Sequence, residues 1–200
     1  MNEHYYTSEP VSAHKERLIE TKILGRDMRF YTDAGVFSRD DVDPGSLLLI
    51  ETAEKMEGRV LDMGCGWGPV GLSLALENPK ADFLLVDVNE RAVELSERNR
   101  RMNGAVNARV TASDGFESVE GEFHHILSNP PIRAGKKVIY GMFDESFVRL
   151  NPGGTLTIVI RKQQGAPSAK KHLEEVFGNA EIVARDGGYW IIRSRKEQAE

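Results

Sequence analysis

An α/β fold, with a mostly parallel sheet, helices on both faces and an antiparallel last strand, is predicted by three features of the sequence. Apolar runs alternate with helical patterns from about residue 44 onward, which requires a parallel sheet. Phe83-Leu84-Leu85-Val86 is apolar without a break and ends in Asp87, as a strand buried on both faces does. Near the end, Ile182-Val183-Ala184 and Tyr189-Trp190-Ile191-Ile192 flank Asp186-Gly187-Gly188, a hairpin signal that brings an antiparallel strand into the sheet.

Residues 1–43 read as an N-terminal extension packed on the core, with Tyr5 and Tyr6 near its start and a short hairpin turning at Gly25-Arg26-Asp27. One strand ends over Phe30 to Thr32. Asp33-Ala34-Gly35-Val36-Phe37-Ser38 then reads either as a loop over the glycine-rich turn described below or as a plain connector. The main domain covers residues 44–200. Asp43 caps a helix with Pro44 at its first position, and Leu49, Ile50, Ala53 and Met56 keep helical spacing up to Gly58. Val60-Leu61-Asp62-Met63 is the first core strand. A helix follows from Pro69 to about Asn78, and another, capped by Asn89, runs from Glu90 to about Met102. Ala108 to Ala112, Phe123 to Leu127 and Thr155 to Ile160 read as strands, with a helix from about Lys137 to Leu150 before a Pro152-Gly153-Gly154 turn. Ser194 to Glu200 reads as a frayed tail.

At 200 residues the chain can bury a full core without disulfides or metal. A net charge of −5 excludes a globally basic nucleic-acid coat, so RNA contacts would use local patches. Cys65 is the single cysteine and has no internal disulfide partner; its place in the glycine turn suits packing. Met1 to Pro10 lacks an apolar signal core and no run is long enough to span a membrane, so a cytoplasmic location is expected. His124 and His125 point to opposite faces of a strand and His4, His14 and His172 are scattered, so no metal site is expected.

The chemistry centres on the turn after the first core strand. Gly64, Gly66 and Gly68 leave backbone bare where a ligand approaches, and Pro69 opens a helix whose N-terminus attracts an anionic group. Asp62 adds an acceptor for a cationic one. Gly66 to Gly71 also matches the dinucleotide pattern G-x-G-x-x-G, but that match begins beyond the strand end, whereas Asp62, Gly64, Gly66 and Gly68 begin at it. Asp87, ending the second strand, suits ribose hydroxyls in either cofactor type. Asp114, in Asp114-Gly115-Phe116, offers an acceptor to an adenine amino group, and Phe116 an aromatic edge. Three carboxylates are awkward for a pyrophosphate and suit S-adenosylmethionine, whose sulfonium and ammonium are cationic. The pattern resembles the class I S-adenosylmethionine-dependent methyltransferases, which implies a Rossmann-like seven-stranded sheet with the last strand antiparallel.

Ser128-Asn129-Pro130-Pro131 follows the fourth strand, beside the cofactor crevice, where Asn-Pro either simply marks a turn or meets the methyl acceptor, the reading its location favours. The Asn129 side-chain oxygen and the Pro130 carbonyl can both accept from one exocyclic NH2, while the two prolines stiffen the backbone. An aryl or amide nitrogen has a delocalised lone pair, so two acceptors would orient it toward the methyl group. With Ile132-Arg133-Ala134-Gly135-Lys136, Gly35-Val36-Phe37-Ser38 upstream and Arg161-Lys162-Gln163-Gln164-Gly165-Ala166 downstream, the chain resembles the small-subunit ribosomal RNA guanine-N2-methyltransferase family, in its compact single-domain branch.

That resemblance implies Asp62, Gly64 and Gly66 at the cofactor's amino-acid end, Asp87 at its ribose, Asp114 at its adenine, and Asn129 with Pro130 at the target amine. It implies ribosomal RNA or the small ribosomal subunit as partner. Pro131, Ile132, Arg133, Lys136 and Phe37 are the expected substrate contacts. Many relatives carry an aromatic residue where this chain has Ile132, which removes one stacking face. Arg133, Lys136, Lys137, Arg161, Lys162, Lys170 and Lys171 form either a phosphate-binding rim or an ordinary solvated surface. Trp67 either shapes the pocket or belongs to the core. Two rival readings are glutamine-N5 methylation of a translation release factor and a non-catalytic cofactor-binding module.

Overall fold

The computed structural model describes residues 13–198; Tyr5, Tyr6 and His4 near one end and residues 199–200 at the other lie outside that description. A hairpin of β1 (Arg17–Ile23) and β2 (Arg26–Thr32) precedes α1 (Pro44–Glu51). The alternating region runs β3 (Gly58–Met63), α2 (Pro69–Glu77), β4 (Ala81–Asp87), α3 (Glu90–Asn103), β5 (Ala108–Ala112), β6 (Phe123–Ser128), α4 (Lys136–Arg149) and β7 (Leu150–Arg161). It closes with α5 (Ala166–Phe177), β8 (Glu181–Asp186) and β9 (Tyr189–Arg195). Seven strands form one sheet in the order β5-β4-β3-β6-β7-β9-β8. β9 is antiparallel to both β7 and β8, and the pairings from β5 through β7 are parallel.

The unbroken apolar run of β4 has the cause expected of it. Phe83 and Leu85 pack in a core with α1, α2, α3 and the hairpin, while Leu84 and Val86 pack on the other face, where α4 and α5 lie. The chain winds from β3 outward to β5 and then returns to place β6 on the other side of β3. Strand order therefore reverses between β3 and β6. A crevice opens there, at the carboxyl ends of the strands, where open α/β sheets bind ligands.

The hairpin docks on α3 through two asparagines. Asn99 accepts from Tyr31 N at 2.7 Å and donates to Tyr31 O at 2.9 Å, and Asn103 accepts from Arg29 N at 3.1 Å. These amides satisfy backbone groups on one edge of β2, which no further strand pairs.

Three expectations need correction. The first helix stops at Glu51, not Gly58: Thr52 Oγ1 donates to Leu48 O at 2.7 Å, and Met56 N is drawn to Asn78 Oδ1 at 2.8 Å. Pro152-Gly153-Gly154 is an irregularity within β7, since Phe123 pairs with Leu150 but His125 with Thr155. The tail is ordered further than expected: Ser194 and Arg195 pair with Leu156 and Thr155, and Lys196 N donates to Gly154 O at 2.9 Å. Helix α5 has no counterpart among the expected elements, although Ala166, Ala169, Leu173 and Phe177 carry the buried face at helical spacing.

Candidate active site

The turn after β3 is tied to the neighbouring strand β4 by the protein's own backbone. Gly64 N and Cys65 N both donate to Val86 O at 2.9 Å. Gly64 (φ +73°) and Gly66 (φ +56°) sit in the left-handed region, and a Cβ added to either would meet nothing within 4 Å. Their bare backbone faces a cavity of about 1150 Å³. Gly68 differs from the expectation, because it does not line this cavity. A Cβ there would lie 2.7 Å from Ser96 Oγ and 2.8 Å from Leu72 Cδ1, so its role is close packing of α2 on α3. Gly71 is a comparable position that the sequence reading did not single out: its Cβ would lie 2.6 Å from Leu85 Cγ and 2.8 Å from Asp62 Oδ2.

Asp62 lines the floor of the cavity and is buried. Burial pushes its carboxyl up to about 7, opposed by a 2.8 Å bond from Gly71 N and reinforced by the charge of Asp87. Asp87 is also raised by burial, and its oxygens accept from Gly66 N at 2.8 Å and Asn89 N at 2.9 Å. Asp114 stands exposed at the rim beside buried Phe116, in a loop tied to β4 by Ser113 N donating to Asp87 O at 2.9 Å. Burial raises the Cys65 thiol, so it is no ready nucleophile.

The segment 33–38 covers the glycine turn. Trp67 Nε1 donates to Phe37 O and Asn89 Nδ2 to Gly35 O, each at 2.9 Å, and Arg91 donates to Ala34 O at 2.6 Å. Trp67 is both core and pocket wall: it is buried, its ring meets the Phe30 ring edge-on at 5.1 Å, and it lines the cavity. The Phe37 side chain is exposed at the cavity mouth.

Across the crevice, Ser128 Oγ donates to Met63 O at 2.8 Å and locks the end of β6 to the end of β3. Asn129, Pro130, Pro131, Ile132 and Arg133 all line the cavity. The Asn129 Nδ2 donates to Asp43 Oδ2 at 3.1 Å and to Ser46 Oγ at 3.0 Å. A carboxylate only accepts, so this contact decides which end of the amide is which. Both N–H groups are spent on the start of α1, and Oδ1 is the atom left for a ligand.

Lys136, the expected substrate contact at the first position of α4, does not line the cavity. The basic rim narrows likewise. Arg133 and Arg161 are on the wall, whereas Lys170 pairs with Glu174 and Lys171 with Glu175 along α5, an i to i+4 spacing that neutralises them locally. Tyr189, absent from the expected site, also lines it. No His, Cys, Asp or Glu cluster suited to a metal occurs among the described residues, and no described helix is long and apolar enough to cross a membrane.

A family model described as the methyltransferase small domain matches residues 27–193. The chain belongs to that family. The uncharacterised protein YbxB of Bacillus subtilis is 46% identical over 200 residues, covering 98% of this chain and 100% of the relative. The ribosomal RNA small subunit methyltransferase C of Cronobacter sakazakii is 39% identical over 173 residues, covering 84% of this chain and 49% of the relative. Among solved structures, the 16S rRNA N2 methyltransferase RsmC of T. thermophilus, in complex with AdoMet and guanosine, aligns with a TM-score of 0.81 at 27% identity. That alignment covers 94% of this chain and 52% of the RsmC chain. The chain thus spans about half the length of the named methyltransferases that it matches.

Proposed function

We propose that this family member is an S-adenosylmethionine-dependent methyltransferase acting on the exocyclic N2 amine of a guanine in small-subunit ribosomal RNA. The observation that carries the reading is the tethered Asn129 amide, held with its oxygen free beside the reversal point of the sheet. The cavity supports it, since about 1150 Å³ exceeds the roughly 300–1,000 Å³ usual for one small ligand and accommodates a cofactor and a base together.

The residues present fit the cofactor. Gly64 and Gly66 form a cradle that any Cβ would fill, and Asp62 sits below it as an acceptor for an ammonium group. Asp87 and Asp114 continue along the ends of β4 and β5, suited to ribose hydroxyls and an adenine amino group. S-adenosylmethionine, when bound, supplies an electrophilic methyl on its sulfonium.

The chain's own part is to orient the nucleophile. Asn129 Oδ1 and the Pro130 carbonyl accept the two N–H groups of the amine, which turns its lone pair out of conjugation and toward the cofactor side. The same oxygens then stabilise positive charge developing on nitrogen. Alignment of this kind is worth roughly 7–11 kcal/mol of barrier, and the nitrogen, once methylated and cationic, is acidic enough to release its extra proton to water, so no strong base is needed. Phe37 and Ile132 supply apolar surface for the ring of a flipped or unpaired base, and Arg133 a cationic group near the backbone phosphates.

The test is to supply radiolabelled cofactor with small ribosomal subunits from a strain lacking the gene, and to map the label. Label on a guanine N2 is expected. Label on a protein glutamine, or none on RNA, would overturn the reading. In the same assay Asn129→Ala should lose on the order of 10²–10³ in kcat while cofactor affinity stays near wild type.

A further inference from the structure

Asp43 does more than cap a helix. Its Oδ2 accepts from Ser46 N at 2.9 Å, which is the capping bond, and the same oxygen accepts from Asn129 Nδ2. Its Oδ1 accepts from the Tyr189 hydroxyl at 3.1 Å. Arg161 Nη2 donates to that hydroxyl at 2.7 Å, and the guanidinium lies 4.6 Å over the Tyr189 ring. Capping α1 needs only the first of these contacts. The others come from the ends of β6, β7 and β9: Asn129 and Tyr189 meet on the Asp43 carboxylate, and Arg161 holds the Tyr189 hydroxyl. Gly45 shows that the approach is built in: a Cβ there would lie 2.6 Å from Tyr189 Cε1 and 2.9 Å from Asp43 Oδ2, closing the path by which the ring reaches Asp43.

We propose that Asp43, held in place by Tyr189 and Arg161, is a positioning residue that fixes and polarises the Asn129 amide for methyl transfer. The proposal rests on the reading of Asn129 as the group that accepts from the target amine. Two physical effects follow. An untethered amide can rotate by half a turn and present NH2 to the target NH2, donor against donor; the carboxylate forbids this, because it accepts only from the nitrogen end. Donation from Nδ2 to a carboxylate also shifts electron density within the amide toward Oδ1, so the acceptor strengthens as positive charge grows on the target nitrogen. An amine that gains charge in the transition state benefits most, which places the effect on turnover more than on binding.

The test is a set of variants assayed with small subunits as methyl acceptor. Asp43→Asn preserves the cap, since asparagine caps about as well as aspartate, but removes the charge and disturbs the acceptor facing Asn129. It should lose about tenfold in kcat, with cofactor Kd, RNA KM and Tm near wild type. Tyr189→Phe keeps the ring and removes the hydroxyl; it should lose about threefold, and the double variant should be no slower than Asp43→Asn alone. Wild-type kcat in Asp43→Asn, losses that track Tm or cofactor Kd, or additive losses in the double variant would overturn the proposal. Should Asp43→Asn fail to fold, wild-type kcat in Tyr189→Phe does so. Asn129→Ala run in parallel separates the two readings: if it stays active, the assignment of Asn129 fails, and if it alone is inactive, only the role of Asp43 fails.

Discussion

Asp62 shows how the burial of one carboxyl ties stability to pH. Burial lifts it from 3.8 to about 7, so between those values the folded state keeps a proton that the unfolded chain has lost. Stability therefore falls as pH rises through that window, and the penalty remains above it. A cationic group in the cavity reverses the preference, because it binds the ionised form. Cofactor affinity should rise with pH, by up to about tenfold per unit, until it levels near 7. Calorimetry from about pH 5.5 to 7.5 checks this, the upper limit staying below the ordinary range of an α-amino group. Asp62→Asn should flatten the profile and lower affinity at neutral pH; an unchanged profile would remove Asp62 from the cofactor site. Asp87→Ala should also weaken binding, because it removes an acceptor and frees the Gly66 N–H that shapes the turn.

At the scale of elements, the glycine turn separates into positions whose bare backbone faces the cavity and positions packed against neighbouring elements. Gly71→Ala drives a methyl into Leu85 and Asp62 inside a packed interface, and should destabilise by about 1–3 kcal/mol in urea titration. Gly66→Ala meets no protein atom; its cost is the left-handed φ of +56°, about 1 kcal/mol, plus a methyl standing in the cavity. Its main effect should be lost cofactor affinity. The reverse pattern would exchange the roles of the two glycines. Where elements depart from the sequence expectation, the causes are local in the same way. Periodicity continued past Glu51, but a threonine hydroxyl and the buried Asn78 side chain drew the backbone out of the helix. The α5 pattern was present at Ala166, Ala169, Leu173 and Phe177, and was obscured by the surrounding glycine, proline and lysine residues.

At the scale of the whole molecule, Asn99 joins three parts that the sequence lists separately. Fully buried, it pairs with both backbone groups of Tyr31 in the hairpin and donates to Trp67 O in the glycine turn at 2.8 Å. Asn99→Ala leaves those groups unpaired and should cost about 2–4 kcal/mol in chemical denaturation, with cofactor affinity falling as the turn loosens. A change below 0.5 kcal/mol would show that the hairpin docks by other means. The parallel core, the antiparallel last strand and the carboxylates at successive strand ends were legible because each depends on hydrophobic period, a turn dipeptide or a motif within a few residues. The local sequence also placed Asn129-Pro130 directly after a strand end. What the tertiary structure decided is how they are held. Strand order set β6 beside β3, and folding brought Asp43, Ser46, Tyr189 and Arg161 onto the site. It also took Gly68 into packing and left Lys136 outside the cavity. These are pairings between residues far apart along the chain, and no local periodicity or spacing encodes which of them will meet.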